Sequence, residues 1–324
     1  MKIKFDGFIV GLILMIAAAY FFPQLIELGG GTVIDRILSI GVAAIFFFYG
    51  LKLSFQEIRM GLSNWRLHVS VQLFTFVCFP ALVLLFRPLV QSQLQEQFWL
   101  SFYFLAALPS TVSSSVVMVA IAKGNIPAAI FNASISGLIG VAVTPLLMHF
   151  FLDVEQTSVF GELYLGLVLE VLLPVILGLV LQRYWGAWAR TYSSLLSKFD
   201  KAVILLIVYA SFAESFLNDV FTTVDPMYLI SLVVLVVLLF YTVYGLILYL
   251  VHRVLRFNRE DQITALFCGS KKSLTHGSVF AKFLFANDPR LGLFLLPLMV
   301  YHTFQIFVVT VIAQKMARAR LEER

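Results

Sequence analysis

The chain has 324 residues, of which 60% are hydrophobic and 13% are charged, and its mean hydropathy is +0.94. This composition excludes an ordinary soluble globular protein and is typical of a helical membrane protein with many spans. The formal net charge of +5 does not indicate nucleic-acid binding, because the basic residues are spread through short segments between apolar runs. Cys78 and Cys268 both fall within apolar runs, so a disulfide framework is not expected.

The first apolar segment, Phe5 to Phe22, follows two lysines and must be weighed against a cleaved signal peptide. Its length, with no polar mature segment after a small-residue site, favours a first membrane helix instead. The segment Ser54 to Ser63 mixes apolar and charged residues and predicts a short helix at the membrane interface. The other predicted spans of the first half are Ile34 to Leu53, Leu67 to Phe86, Phe98 to Ala122 and Ile126 to Phe150.

A polar connection, Leu152 to Gly161, leads into the second half, which brings the total to ten predicted helices. With ten spans, the great majority of the 23 lysines and arginines fall on one side of the membrane. The positive-inside rule then predicts an integral multi-pass protein of the inner or plasma membrane, with both termini cytoplasmic. The predicted spans of this half are Glu162 to Leu181, Ala202 to Leu217, Met227 to Leu250, Gln262 to Phe285 and Leu291 to Ile312.

Two of the predicted spans are interrupted by polar residues. Span nine contains Gly269 to Gly277, with Lys271 and Lys272 at bilayer depth, and span four contains Pro109 to Ser115. Intramembrane lysines are costly and usually face a protein interior or a wet cavity. Irregular backbone at this depth is tolerated only where it is buried in protein or lines a cavity. Both interruptions therefore predict parts of a binding site.

The two interruptions occupy corresponding positions in the two halves of the chain. Ser110 to Ser115 aligns with Ser270 to Thr275 when the second half is laid over the first. Because each half has an odd number of spans, the sequence predicts two inverted five-helix repeats, residues 1–151 and 162–316. Interrupted helices at matching positions of inverted repeats are typical of the midplane site of a transporter. The alternative is that the serines of span four only pack against neighbouring helices.

Several motifs together resemble the bile acid:sodium symporter family, also called solute carrier family 10, and most closely its member-7-like branch and bacterial relatives. The motifs are Phe46 to Ser54, Asn64 to His68, the Lys123 to Asn125 turn, Phe267 to Thr275, and Tyr301 with His302. The resemblance covers nearly the whole chain. It implies an all-α fold of ten transmembrane helices, in which helices 1, 2, 6 and 7 form a panel domain. Helices 3, 4, 5, 8, 9 and 10 would form a core domain, with broken helices 4 and 9 crossing at the midplane.

The chain departs from the sodium-coupled members of that family around its second break. Phe267 stands where those relatives have a glutamate, Lys271 and Lys272 stand where they have a Gln-Asn pair, and Thr75 takes the place of a sodium-ligating glutamine. Losing the acid and adding two ammonium groups argues against the usual pair of sodium sites.

The two lysines suggest a different mechanism. We hypothesise that one ammonium fills the space of a sodium ion and donates to unwound carbonyls and to the hydroxyls of Ser114, Ser115 and Ser273. The other would face the cavity and attract an anion, and either could release and rebind a proton during transport.

Three further groups are candidates for coupling. Glu170, near the middle of span six, could contact one of the two lysines in a single state of the transport cycle, although a purely structural pairing is an equal alternative. His276 is a candidate proton carrier, because imidazole titrates near neutrality. His302 lies with Tyr301 and Gln305 on a polar stripe of span ten, where a satisfied core histidine is as good an interpretation. The candidate substrate- and ion-binding residues are Thr75, Ser110, Thr111, Ser113, Ser114, Ser115, Asn132, Glu170, Ser270, Lys271, Lys272, Ser273, Thr275, His276 and His302.

The sequence thus predicts a secondary active transporter of a small organic anion in the lipid bilayer, which alternates access around a midplane site. It predicts no enzyme activity, no bound metal or cofactor apart from sodium or a proton as coupling ion, and no nucleic-acid partner; it leaves the oligomeric state open. One alternative is a membrane regulator of calcium homeostasis that keeps the transporter fold. A more remote one is an intramembrane hydrolase that uses Ser and Lys, although neither paired intramembrane aspartates nor a His-Glu-x-x-His zinc motif is present.

Overall fold

A computed structural model describes residues 7–27, 32–53, 64–152, 165–166, 168–223, 225–286 and 288–322. Helices dominate all of these ranges, and no β-strand occurs within them. In a bilayer the backbone cannot hydrogen-bond to water, so a spanning segment must satisfy its N–H and C=O groups internally, as a helix does. The helical architecture therefore agrees with the membrane protein that the composition predicts.

The helices of the first half are bounded as follows: α1 Gly7–Phe21, α2 Thr32–Lys52, α3 Trp65–Leu73, α4 Phe79–Leu84, α5 Gln93–Ala107, α6 Ser113–Ile121 and α7 Ile126–His149. A π-helical turn, Phe74–Cys78, joins α3 to α4 without a gap. Short 3₁₀ turns cover Pro23–Glu27 and Arg87–Leu89.

The helices of the second half are bounded as follows: α8 Leu173–Thr191, α9 Ser193–Leu217, α10 Pro226–Tyr249, α11 Arg259–Gly269, α12 Leu274–Leu284 and α13 Leu291–Glu322. A π turn, Val168–Leu172, precedes α8, and another, Leu250–Val254, follows α10. A 3₁₀ turn covers Val220–Thr223.

Six of the described helical stretches are long and apolar enough to cross a membrane, and α1 is a shorter apolar helix. The six stretches are Val33–Lys52, Trp65–Leu89, Ile126–His149, Val168–Thr191, Pro226–Val254 and Leu291–Ala319. The two interrupted spans do not qualify as single helices because each is split in two. The ten-helix count, the inverted repeats and the division into 1–151 and 162–316 stay predictions.

The described chain divides into two compact units. The first contains α1, α2, α8 and α9 together with the stretch Ser278–Leu295. The second contains α3 to α7, α10 and α11 and the remaining parts of α12 and α13.

The first unit is held by a close crossing of α2 and α8 at two glycines. A Cβ atom on Gly50 would meet the backbone oxygen of Val175, and one on Gly178 would meet that of Phe47. Small residues of this kind let helix backbones approach closely in membranes, where dispersion rather than water exclusion holds helices together. Within the same unit, Lys52 lies 3.5 Å from Asp200 of α9.

In the second unit, three helix N-termini share one carboxylate. Asn64, Asn125 and Asn258 are the N-cap residues of α3, α7 and α11. Their side-chain amides donate to the two oxygens of Asp261 at 2.8, 2.8 and 3.0 Å. Asp261 is 6% exposed, so a buried negative charge is held by three amide donors near the positive ends of helices. No sequence pattern predicted this cluster.

Several predicted helix boundaries are wrong. The segment 182–201, predicted as a connection, is almost entirely helical, because α8 continues to Thr191 and α9 begins at Ser193. Trp185 and Trp188 in this extension pack against Phe47 and Phe48 of α2, which stabilises the helix beyond its apolar run.

Helix α13 continues to Glu322 rather than ending at Ile312, since the polar residues that follow are good helix formers without Gly or Pro. The predicted interfacial helix at 54–63 lies outside the described residues.

Candidate functional site

The first break separates α5 from α6 at residues 108–112 and is shorter than predicted. Pro109 has no N–H to continue α5, and the backbone polar groups around it find other partners. The hydroxyl of Thr144 donates to the carbonyl of Ala107 at 2.8 Å, and the N–H of Ser110 donates to the hydroxyl of Ser136 at 3.0 Å. Side chains of α7 therefore satisfy the backbone groups that the break releases.

The second break separates α11 from α12 at residues 270–273. The Gln305 side chain of α13 binds the backbone of Lys272 in both directions: its oxygen accepts from the Lys272 N–H at 2.9 Å and its nitrogen donates to the Lys272 carbonyl at 2.8 Å. The Tyr301 hydroxyl donates to the Ser270 carbonyl at 2.7 Å. The non-helical backbone of the second break is thus held by one face of α13.

The two breaks lie against each other within the second unit. The N–H of Ser273 donates to the carbonyl of Pro109 at 2.9 Å, and the hydroxyl of Ser110 donates to the carbonyl of Cys268 at 2.6 Å. The hydroxyl of Ser115 donates to the carbonyl of Phe267 at 3.3 Å. Serines of each break therefore bind backbone groups of the other, which gives them a structural role beyond simple packing.

The Lys272 ammonium is fully buried and uses all three of its N–H donors on backbone carbonyls. It donates to Thr75 at 2.8 Å, to Ala106 at 2.6 Å and to Leu108 at 2.8 Å. It also lies 4.2 Å from the centroid of the Phe79 ring. The face of an aromatic ring attracts a cation through a cation–π interaction. The hypothesis placed both unwound carbonyls and serine hydroxyls around one ammonium. In the structure the carbonyls bind Lys272, and the Ser114 hydroxyl binds Lys271 instead.

Lys271 is also fully buried but makes a different contact. Its ammonium donates to the hydroxyl of Ser114 at 2.7 Å. From there a chain of hydroxyls continues, since Thr111 lies 2.9 Å from Ser114 and 2.8 Å from Ser115. An ammonium has three donors, so this side chain can still donate to a bound acceptor.

Neither Lys271 nor Lys272 forms an ion pair with any carboxylate in the described part of the chain. The described residues also contain no group of three or more His, Cys, Asp or Glu side chains that could hold a metal ion. Two adjacent buried lysines therefore lie at the contacting breaks without an ion pair to a described carboxylate.

The remaining candidates of the second unit lie at or near the breaks. The Ser273 hydroxyl lies 3.0 Å from Nδ1 of His276, and Nδ1 of His302 lies 3.1 Å from the Gln305 amide. The Thr75 hydroxyl donates to Val71 within its own helix, so only its carbonyl meets Lys272. Thr275 is half-buried in the first turn of α12.

Three further candidates have no described hydrogen bond or ion pair to either lysine or to a residue of the two breaks. Asn132 donates to Ala128 in its own helix and accepts from Gln72 at 3.4 Å. The Ser113 side chain lies outside the described atoms. Glu170, in the first unit, lies 3.7 Å from Lys282, so its predicted contact with Lys271 or Lys272 stays a prediction.

Several contributors to the site were not among the predicted site residues. Gln305 and Tyr301 were signalled only by the polar stripe of span ten. Ser136 carries no signal of its own, and the carbonyls of Ala106 and Leu108 cannot be singled out by residue type. The side chain of Phe79 is indistinguishable in sequence from the many other phenylalanines of the chain.

Comparison with known proteins identifies the family. The model of the SBF-like CPA transporter family matches residues 6–318. The chain belongs to this family. The resemblance to bile acid:sodium symporters is thereby confirmed, and with the apolar helices it establishes a multi-pass membrane protein of a transporter family.

Relatives from bacteria and vertebrates match over nearly their full lengths. The Escherichia coli protein YfeH is 34% identical over 315 residues, which cover 97% of this chain and 93% of YfeH. Sodium/bile acid cotransporter 7-B of Xenopus laevis is 31% identical over 329 residues, covering 100% of this chain and 95% of the relative. Sodium/bile acid cotransporter 7 of Mus musculus is 30% identical over 314 residues, covering 95% and 91%. The similarity therefore extends along nearly the whole of each chain rather than one segment.

Proposed function

We propose that the protein is a secondary active transporter of a small organic anion, with Lys271 as the residue that binds the negative charge. The observation that carries the proposal is the pair of buried ammonium groups at the two contacting breaks, without an ion pair to a described carboxylate. Uncompensated charge at bilayer depth is costly. A bound anion would offset that cost and use the donors that Lys271 has to spare.

The two lysines differ in the hydrogen-bond donors that they can offer a substrate. Lys272 has its three donors occupied by carbonyls, so it has none left for a substrate. The Lys271 ammonium donates to a single hydroxyl, that of Ser114, and Ser114 is half-buried. Because Lys271 is fully buried here, an anion would reach it after a conformational change, as alternating access requires.

The names of the vertebrate relatives support an anionic substrate and a coupled mechanism. They are called sodium/bile acid cotransporters, and a bile acid is an amphipathic organic carboxylate. We propose the same class of substrate here, with sodium or a proton as coupling ion. The arrangement we favour places both termini in the cytoplasm and moves the panel against the core around a fixed midplane site.

An anion screen by thermal stability tests the proposal. The purified protein in detergent is melted with steroid conjugates, sulfonates and carboxylates, in sodium and in potassium and across pH. A ligand at about 100 times its dissociation constant stabilises the folded state by about 2.7 kcal/mol, and we expect at least one anion to do so. The Lys271→Gln variant should lose this stabilisation.

Lys282→Gln is the matched control, since Lys282 lies within 4 Å of Glu170 and donates to Ser39. It should keep the response to the anion. If the same anion stabilised wild type and Lys271→Gln equally, Lys271 would not be the anion-binding residue. Stabilisation by calcium but by no anion would instead support the regulator alternative.

The Lys271–Ser114 contact also meets one geometric requirement of a Ser/Lys hydrolase. The Ser114 hydroxyl is shared with Thr111 in a chain of hydrogen bonds, which suits binding better than nucleophilic attack. We therefore expect a fluorophosphonate probe not to label the protein. Labelling that disappears in Ser114→Ala would argue for the hydrolase.

A further inference from the structure

The Lys272 ammonium sits where three backbone carbonyls converge, and each carbonyl is free for a specific reason. In a regular helix the Thr75 carbonyl would accept from Phe79, but the Phe79 N–H donates to Phe74 in the π turn. The next residue, Pro80, has no N–H to offer in its place. The Thr75 carbonyl is therefore left without a partner in the backbone and accepts from Lys272.

The other two carbonyls are released by the break between α5 and α6. The Ala106 carbonyl would accept from the Ser110 N–H in a continuous helix, but that N–H donates to Ser136. The Leu108 carbonyl lies within the break. Both are at the C-terminal end of α5, where the helix dipole is negative and a cation is stabilised. The chain thus builds a concentration of partial negative charge at one buried point.

A buried set of carbonyls of this kind is a cation site. Unwound backbone and helix C-terminal carbonyls bind monovalent cations inside membrane proteins. With three carbonyls between 2.6 and 2.8 Å from one atom and an aromatic face at 4.2 Å, the Lys272 ammonium meets the same chemistry. Without a cation in the site, the three carbonyl oxygens would be buried without a hydrogen-bond donor, and each unsatisfied group would cost free energy.

We propose that the Lys272 ammonium is a tethered cation, which permanently fills a carbonyl-built site for a monovalent cation. If the amine were removed, the site would bind a small free cation, either an alkylammonium ion or Na⁺. The native chain therefore needs no free cation at this point. The inference concerns only this site and does not depend on the identity of the transported anion.

Chemical rescue tests the proposal. Lys272→Ala keeps the Cβ atom and removes three methylene groups and the amine, which is the size of n-propylammonium. We expect its melting midpoint to rise by about 5 °C when ethylammonium, n-propylammonium or Na⁺ replaces N-methylglucamine at saturating concentration. Wild type should melt at the same temperature in ethylammonium, n-propylammonium and N-methylglucamine.

Two variants separate cation binding from general salt effects. Lys271→Ala removes an equally buried neighbouring amine that is bound by a hydroxyl rather than by carbonyls, and it should not respond to alkylammonium ions. Lys272→Met fills most of the lysine volume without a charge, so it should be destabilised and should not be rescued. An equal response of Lys272→Ala and Lys271→Ala would overturn the proposal.

If Lys272→Ala cannot be purified in any salt, the proposal is tested by the melting of wild type. Its melting midpoint should be the same in ethylammonium, n-propylammonium and N-methylglucamine without an anion. A specific stabilisation of the anion-free wild type by an alkylammonium ion would show that the carbonyl site is open to a free cation, and the tethered-cation proposal would fail. If Lys271→Gln kept the anion response of wild type while alkylammonium ions still rescued Lys272→Ala, the anion-binding role of Lys271 would fail and this proposal would stand, so the two failures are distinguishable.

Discussion

Replacing Gly50 with alanine is expected to destabilise the protein by about 3 kcal/mol or more, because the added methyl group has no space. Its Cβ would lie against the carbonyl oxygen of Val175 and close to the backbone of Gly178. Backbone atoms of a helix cannot rotate away as the end of a side chain can, so α2 and α8 would have to separate. The melting midpoint of the purified variant and its yield from membranes measure the effect.

The reciprocal change, Gly178→Ala, should have the same effect, because its Cβ would meet the carbonyl of Phe47. Gly245→Ala is the matched control: this glycine also lies in an apolar helix, α10, but a Cβ there meets nothing within 4 Å. The control should be neutral or stabilising by up to about 1 kcal/mol, since alanine is the better helix former. Equal melting of Gly50→Ala and Gly245→Ala would contradict the close crossing.

The positions of the breaks are predictable from sequence because their signals are local. Pro109 removes a helical hydrogen bond, and two lysines in an apolar segment need a protein environment wherever the chain folds. The structure has both breaks, at 108–112 and 270–273, each shorter than the polar run that predicts it. Serines at the ends of those runs can continue a helix while their hydroxyls serve the other break.

The partners of the lysines are not predictable in the same way. The sequence predicts unwound carbonyls and serine hydroxyls around a buried ammonium, but it cannot say which carbonyls, because every residue carries one. Lys272 is bound by those of Thr75, Ala106 and Leu108. Which carbonyls are free depends on a π turn before Pro80 and on Ser136 capturing the Ser110 N–H. Such contacts arise from tertiary structure and leave no composition signal in the chain.

Helix ends show the same division between local and tertiary causes. Hydropathy ends span six near Leu181, whereas α8 continues to Thr191. The extension is stabilised by contacts with α2, such as that between Trp185 and Phe47. Hydropathy indicates which residues can face lipid. It cannot detect a helix that extends beyond its apolar run because it packs against another helix.

Replacing Asp261 with alanine is expected to cost about 4 kcal/mol, as three amide donors lose a buried charged acceptor at once. A hydrogen bond to a charged group contributes about 1.5–3 kcal/mol, and a buried donor left unsatisfied costs a similar amount. The amides of Asn64, Asn125 and Asn258 all donate to this carboxylate. Because the three asparagines are the N-caps of α3, α7 and α11, the loss would loosen three helix starts together, and the melting midpoint should fall.

Single replacements separate a shared carboxylate from three independent caps. Asn125 both accepts from the Ala128 N–H and donates to Asp261, so Asn125→Ala should cost about 2 kcal/mol through both contacts. Asn218→Ala is the control, since Asn218 is exposed and donates only to Glu214 in its own helix; its effect should stay within about 0.5 kcal/mol. In the Asp261→Ala background, Asn125→Ala should cost clearly less than in wild type, since the pair is coupled. Strict additivity of the two changes would mean that Asp261 does not organise the three helix starts.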